Sequence, residues 1–131
     1  MENKKWSQIC IISFITTILF IVLDQWTKWQ ALTKLKPMKS MVVIEGFLDF
    51  TFVENRGAAF GILSGQRWFF ILLTIIVVCG ILYGFFKLPK TKEYLFLRIG
   101  FLFVLAGAIG NGIDRALRGY VVDFLEVTFI K

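Results

Sequence analysis

Four short polar segments hold the side chains of this sequence that suit acid–base chemistry or the binding of a polar ligand. They begin near Asp24, Glu54, Asn111 and Asp123. The chain contains no histidine, which excludes Ser-His and Cys-His catalysis and the common zinc sites. Its two cysteines lie inside apolar runs and form neither a disulfide framework nor a metal-binding pattern. Any acid–base chemistry must therefore come from the other ionisable side chains.

The first two segments combine charge with backbone freedom. Asp24 and Lys28 stand four residues apart, so on a helix they form an ion pair that either holds the end of the helix or contacts a substrate. In the second segment Asn55 offers donors and an acceptor suited to a peptide backbone, and Gly57 permits close approach. A plain turn explains the second segment equally well.

The third and fourth segments carry the remaining carboxylates. Asn111 and Asp114 are three residues apart and share one face of a helix, while Arg115 suits a bidentate contact to a carboxylate or a carbonyl. Asp123 lies in an apolar stretch, where it is either a surface residue of a strand or one half of a carboxylate pair. Two such aspartates share one proton, so that one activates water while the other polarises a carbonyl.

The elements that must position these residues are those of a membrane protein. Hydrophobic residues make up 57% of the 131 residues, the mean hydropathy is +0.74, and only 18% of residues are charged. Soluble domains are roughly 45–50% apolar and about 25% charged. The apolar residues concentrate in three nearly uncharged runs of membrane-spanning length. We predict transmembrane helices over residues 6–24, 67–87 and 93–114, in a single membrane domain 1–131.

Three further features complete this architecture. The first run is long for a cleavable signal peptide and is followed by no A-x-A-like site, so we read it as a retained helix. Residues 47–53 alternate between apolar and polar, and with a probable turn at Gly46 they predict a small β-element in region 40–62. Arg98, near one end of the third run, is expected to extend to the membrane interface.

The net charge of +6 matches lipid headgroups better than nucleic acid, because Lys and Arg flank the apolar runs. The distribution of these charges does not decide the orientation of the chain in the membrane. We therefore expect membrane lipid, and no nucleic acid, as a partner.

In chain order the motifs resemble those of the lipoprotein signal peptidase (signal peptidase II) family. They are Asp-Gln-x-Thr-Lys, Asn-x-Gly-Ala-Ala-Phe-Gly, Gly-Asn-x-x-Asp-Arg and Val-Val-Asp-Phe, and together they extend over nearly the whole chain. The resemblance implies an intramembrane aspartic endopeptidase that removes signal peptides from diacylglyceryl-modified prolipoproteins, cleaving before the lipidated Cys. It implies no metal or other cofactor.

The resemblance also implies a fold and a location. The family has four transmembrane helices and a small β-cradle at the outer surface, in an otherwise all-α bacterial cell-membrane protein. The N-terminus would then be cytoplasmic and the active site would face outward. We expect a monomer.

By position in the motifs, the resemblance makes Asp123 the first catalytic aspartate. It assigns supporting or substrate-binding roles to seven other residues: Asp24, Lys28, Asn55, Gly57, Asn111, Asp114 and Arg115. The second catalytic aspartate of the family belongs to an Asn-x-Ala-Asp motif at the start of the fourth helix, and these 131 residues contain no such motif. We therefore expect a C-terminally truncated member whose catalytic segment is 115–131. Asp114 as the partner of Asp123 is the disfavoured alternative.

Two other hypotheses remain open at this stage. One is a catalytically inactive membrane protein that binds lipidated peptides or partner helices, favoured by the Gly80–Gly84 pair. The other is a small transporter or channel subunit that uses Asp24 and Asp114 as intramembrane charges.

Overall fold

Three long helices and one small sheet make up the described part of the chain. The computed structural model describes residues 2–57 and 62–127. The helices long and apolar enough to cross a membrane are α1 (Glu2–Gln30), α3 (Arg67–Lys87) and α4 (Leu95–Leu117). The predicted combination of three long apolar helices with a small β-element is confirmed.

Helix α4 is the central helix, because it packs against both α1 and α3. In its most apolar stretch 28% of residues are buried, against 11% in each of the other two. Phe103 of α4 stacks on Phe20 of α1 with ring centroids 4.3 Å apart, and the ring of Phe101 lies against Gly84 of α3. The outward faces are apolar and exposed, as expected for side chains that meet lipid.

The first helix is longer than the sequence analysis predicted. It continues past Asp24 to Gln30, then through a π-helical turn (Ala31–Leu35) and a short helix α2 (Lys36–Met38). The helix continues beyond the predicted boundary at residue 24 because Asp24 and Lys28 form an ion pair one helical turn apart and no proline interrupts the chain before Pro37. The first polar segment therefore lies inside α1.

The sheet has three antiparallel strands in the order β1-β2-β3. They are β1 (Ser40–Ile44), β2 (Leu48–Asn55) and β3 (Val121–Val127). Gly46 connects β1 to β2 at φ +73°, a conformation that suits glycine. Asp123 lies on strand β3, which pairs with the middle strand β2, and its role as one half of a carboxylate pair stays a prediction.

A small hydrophobic core joins the sheet to the extension of α1. Ala31 and Leu35 of the π-helical turn are buried against Val122 of β3, and partly buried aromatic residues of β2 pack around them. The extension of α1 beyond the apolar run therefore supports the strand that carries Asp123.

Arg98, whose extension to the membrane interface stays a prediction, packs against the end of α3. It is buried, donates hydrogen bonds to the carbonyls of Phe85 (2.9 Å) and Pro89 (3.1 Å), and lies over the Trp6 ring at 5.0 Å. The carbonyls at the end of α3 have no partners within their own helix, so a buried guanidinium satisfies them at this site. Arg98 thus connects the ends of α1, α3 and α4.

We predict that Arg98→Leu destabilises the protein by about 1.5–3 kcal/mol, because it removes hydrogen bonds from a charged donor and leaves buried carbonyls without partners. Unfolding in detergent with increasing SDS measures the change. Lys92→Leu, which removes an exposed cation from the same connection, is the control and should have little effect. Equal stability of the two variants would contradict the role given to Arg98.

Candidate active site

The site is built around the carboxylate of Asp114, which is fully buried. Its Oδ1 accepts hydrogen bonds from Arg118 (2.7 Å) and Gln25 (3.1 Å). Its Oδ2 lies 3.0 Å from the Lys28 ammonium and accepts a 3.0 Å bond from the backbone N–H of Val122. These donors come from α1, from the end of α4 and from β3, so one carboxylate connects three elements.

Lys28 is the second buried charge of this cluster. Only 4% of its surface is exposed, and its ammonium contacts the carboxylates of Asp24 (2.9 Å) and Asp114 (3.0 Å) and the side-chain Oδ1 of Asn111 (3.0 Å). All three donors of the ammonium are therefore used within the protein. With Arg118, the cluster contains two cations and two carboxylates, which limits the cost of burying charge.

The absence of a side chain at Gly110 leaves room for the Asp24 carboxylate beside α4. A Cβ at Gly110 would lie 2.9 Å from the carboxyl carbon of Asp24, so any larger residue would collide with it. Gln25 holds the two helices together here by donating to the Gly110 carbonyl at 3.1 Å. The small residue thus permits the close contact between α1 and α4 that assembles the cluster.

Asp123 faces a different environment from the other two aspartates. Val122 points into the core with 1% of its surface exposed, so the next side chain along the strand points to the opposite face. There the half-buried Asp123 lines a cleft of about 600 Å³ together with Asp24, Asn55 and Asn111. Its carboxylate has no ion pair or hydrogen bond to any residue in 2–57 or 62–127, although its charge interacts with that of Arg115.

Arg115 connects the second polar segment to α4. It donates a 3.0 Å hydrogen bond to the carbonyl of Gly57 and lies over the Phe70 ring at 4.6 Å. Gly57 is buried, and its N–H donates to Asn55 Oδ1 at 2.9 Å, which forms a tight turn. Gly57 therefore contributes backbone groups, and Arg115 fixes where the chain turns beside the cleft.

The predicted site residues occupy two connected regions. One region is the cleft, which is lined by Asp24, Lys28, Asn55, Asn111 and Asp123. The other lies behind and beside it, and contains the buried Asp114 and the hydrogen bond from Arg115 to the Gly57 carbonyl. Residues 58–61 of the second motif and 128–131 of the predicted catalytic segment lie outside the described residues.

Sequence reasoning missed several members of the site. Gln25 and Arg118 complete the buried cluster, while Glu54, Arg56 and Ser64 line the cleft. The spacing of four residues between Asp114 and Arg118 was the available signal for Arg118. Gln25 belongs to the Asp-Gln-x-Thr-Lys motif, but its position in the sequence did not indicate that its side-chain amide donates to three acceptors.

The arrangement separates a carboxylate that is saturated by donors from one that borders the cleft. Asp114 has four donors and no exposed surface, so it has no capacity to bind water or substrate. Asp123 borders an open cleft with amide groups beside it, which is the setting of a general base or acid.

Comparison with known proteins matches the chain to one family over most of its length. Residues 16–131 match the model for signal peptidase (SPase) II. The chain is 45% identical over 116 residues to a lipoprotein signal peptidase of Caldanaerobacter subterraneus subsp. tengcongensis, covering 88% of this chain and 78% of that protein. It is 38% identical to one of Enterococcus faecalis, covering 95% and 76%.

Solved structures agree with this match. Two structures described as a bacterial membrane enzyme, determined in meso at 2.3 and 1.9 Å resolution, superpose with TM-scores of 0.78 and 0.75. Both are 39% identical in sequence and cover 91% of this chain, which corresponds to 71% and 76% of theirs.

We predict that Gly110→Ala costs about 1–3 kcal/mol of stability, because the new methyl group displaces an Asp24 carboxylate already held by Lys28 and Gln25. Gly107→Ala, on the same helix with open space around its Cβ position, is the matched control and should gain about 0.5–1 kcal/mol. Unfolding in detergent measures both. A neutral Gly110→Ala would contradict the close contact described above.

We further predict that Asp114→Asn destabilises the protein by about 3–5 kcal/mol, since it leaves buried Lys28 and Arg118 with one carboxylate between them. Asp49→Asn, a half-buried aspartate of β2 outside the cleft, should stay within about 0.5 kcal/mol of the parent. Unfolding free energies of the two variants, measured under the same conditions, test whether the loss of the Asp114 charge has this effect. Similar values would show that Asp114 is not central to the cluster.

Proposed function

Because this chain belongs to the signal peptidase II family and is therefore of a protease family, we propose that it acts as an intramembrane aspartic endopeptidase. Its substrate is a prolipoprotein whose Cys carries a diacylglyceryl group, and it cleaves the signal peptide just before that Cys. The coarser assignment, removal of signal peptides from prolipoproteins, follows from the family. The aspartic mechanism, the cleavage position and the lipidated substrate are the proposal.

The contrast among three aspartates carries this proposal. Asp114 and Asp24 are held by Lys28 at 3.0 and 2.9 Å, whereas Asp123 has no ion pair within the described part of the chain and lines the cleft. A carboxylate without a partner at the edge of a membrane-embedded site is costly unless it has a function. Asp123 is the carboxylate best placed to accept a proton from water.

The cleft offers groups that suit an extended peptide. The side-chain Oδ1 of Asn111 accepts from Lys28, and its side-chain NH2 group has no acceptor within the described residues, so this group can donate to a substrate. Asn55 lines the same cleft from the end of β2. A donor of this kind holds a substrate carbonyl at a fixed distance from Asp123, and such positioning lowers the barrier to attack by water.

Peptide hydrolysis by this route requires a second carboxyl group. One aspartate, ionised, removes a proton from water, whose oxygen attacks the scissile carbonyl carbon, while the other, protonated, donates its proton to the carbonyl oxygen. As the tetrahedral intermediate collapses, the C–N bond breaks, the leaving amine takes the proton held by the first aspartate, and the second aspartate recovers a proton from the hydroxyl of the intermediate. We propose that Asp123 is one member of this pair and that the other belongs to the Asn-x-Ala-Asp motif, which is not among these 131 residues. Asp114 is unsuited to the second role because its oxygens already accept four donors.

The bacterial membrane location follows from the family and the three apolar helices. We propose the finer arrangement as well: a monomer in the cell membrane with a cytoplasmic N-terminus and an outward-facing cleft. Arg98 and Trp6 then lie at the cytoplasmic end, and the sheet lies at the outer surface.

Cleavage of a diacylglyceryl prolipoprotein by protein in lipid vesicles tests the proposal. We expect the 131-residue chain to be inactive and a version extended through an Asn-x-Ala-Asp helix to cleave. In the extended protein, Asp123→Asn should slow cleavage by at least about 100-fold, because it removes the general base or acid. Asp49→Asn is the matched control and should retain activity.

Two outcomes would contradict this mechanism. Retained cleavage by a folded Asp123→Asn variant would exclude Asp123 as a catalytic group. Robust cleavage by the 131-residue chain would place the second carboxylate within it, and Asp24, which lines the cleft, would be the first residue to test.

A further inference from the structure

Two arginines converge beside the cleft at the start of a membrane-spanning helix. The Nη1 atoms of Arg56 and Arg67 lie 3.9 and 3.8 Å from the point that a Cβ on Gly119 would occupy. The two guanidinium groups are therefore less than about 8 Å apart, close enough to repel one another at the edge of a low-dielectric membrane. Gly119 has φ +84°, and its missing side chain leaves this space open.

Both arginines retain donors that the described part of the chain does not use. Arg67 donates through Nε and Nη2 to the carbonyls of Arg115 and Ala116, which are the last turn of α4. Arg56 donates through Nη2 to Glu54 at 3.3 Å. The Nη1 groups that approach Gly119 have no acceptor within residues 2–57 and 62–127.

The depth of the two guanidinium groups in the membrane indicates which kind of ligand would occupy the space beside Gly119. Arg67 is the first residue of the membrane-spanning helix α3, and its guanidinium lies 5.1 Å from the ring of Trp68, which is 72% exposed. Tryptophan at the end of a transmembrane helix marks the headgroup region. Below it, the exposed side chains of Phe69 and Leu72 provide an apolar surface for acyl chains.

We propose that Arg56 and Arg67 bind the phosphate of an anionic membrane phospholipid, whose acyl chains lie along the outer face of α3. The phosphate oxygens accept from the two Nη1 groups and relieve the repulsion between the arginines. Arg56 also lines the cleft, so the bound lipid lies at its rim. This site involves no residue of the proposed catalytic pair and does not depend on cleavage.

Quenching of Trp68 by brominated lipid tests the proposal. A variant that keeps Trp68 as its only tryptophan, with Trp6, Trp26 and Trp29 changed to Phe, is placed in vesicles of phosphatidylcholine with a minor fraction of phosphatidylglycerol. The bromine is carried by one lipid or by the other. We expect phosphatidylglycerol to be enriched at Trp68 by about fivefold or more over its bulk fraction, the preference expected from one or two basic residues at a membrane surface.

Charge variants separate a built site from general attraction. Arg56→Gln and Arg67→Gln should each reduce the enrichment about fivefold, whereas Lys34→Gln removes an equal charge from an exposed lysine outside the site and should leave it unchanged. If Arg67→Gln fails to fold because it loses the contacts to α4, Arg56→Gln alone decides.

Three results would overturn the proposal. Equal quenching by the two lipids would show no preference for the anionic headgroup. The same enrichment in Arg56→Gln and Lys34→Gln would assign the preference to net charge. Loss of enrichment in dilute inorganic phosphate, at an ionic strength where sodium chloride has no effect, would assign the arginine pair to a free anion and not to lipid.

Discussion

The hydrogen bonds and ion pairs of the buried Asp114 carboxylate determine how the rest of the site is arranged. Removing this charge from water costs several kcal/mol, which is offset only by well-placed donors. Those donors are Gln25 and Lys28 from α1, Arg118 from the end of α4 and the Val122 N–H of β3. None of the three elements shifts relative to the others without leaving a buried charge unpaired. Asp114 thus fixes strand β3, which carries Asp123.

The three aspartates near the cleft illustrate how environment divides the roles of one residue type. Asp114 has no exposed surface, and Asp24 is held by Lys28 beside Gly110, so both are stabilised in their positions by neighbours. Asp123 follows Val122 on a strand, and the alternation of side chains turns it from the core toward the cleft. The carboxylates that hold the scaffold through ion pairs are therefore different from the carboxylate of β3 that borders the cleft.

The distribution of charge along the spans is consistent with a protein whose outer surface meets lipid. Arg98 joins the helix ends at one side of the membrane, where it satisfies carbonyls of α3 and of the following connection. Lys28, Asp114 and Arg67 lie at the other side, where α1 and α4 meet the sheet and α3 begins. Between these levels the exposed side chains are apolar, so packing within the bundle depends on close contacts such as Phe20 on Phe103.

The sequence by itself determined the three membrane helices and the small β-element with its turn at Gly46, because hydropathy and local turn chemistry depend on neighbouring residues alone. Its four motifs, in their order along the chain, indicated the family. Only the tertiary structure decided that α1 continues to Gln30, that Asp114 is saturated by donors and that Gln25 belongs to the buried cluster. The hydrogen bonds of Gln25 to Gly110 and Asp114 join residues more than 80 positions apart. Hydrogen-bond partners at that separation depend on how α1, α4 and β3 pack, which no local pattern in the sequence specifies.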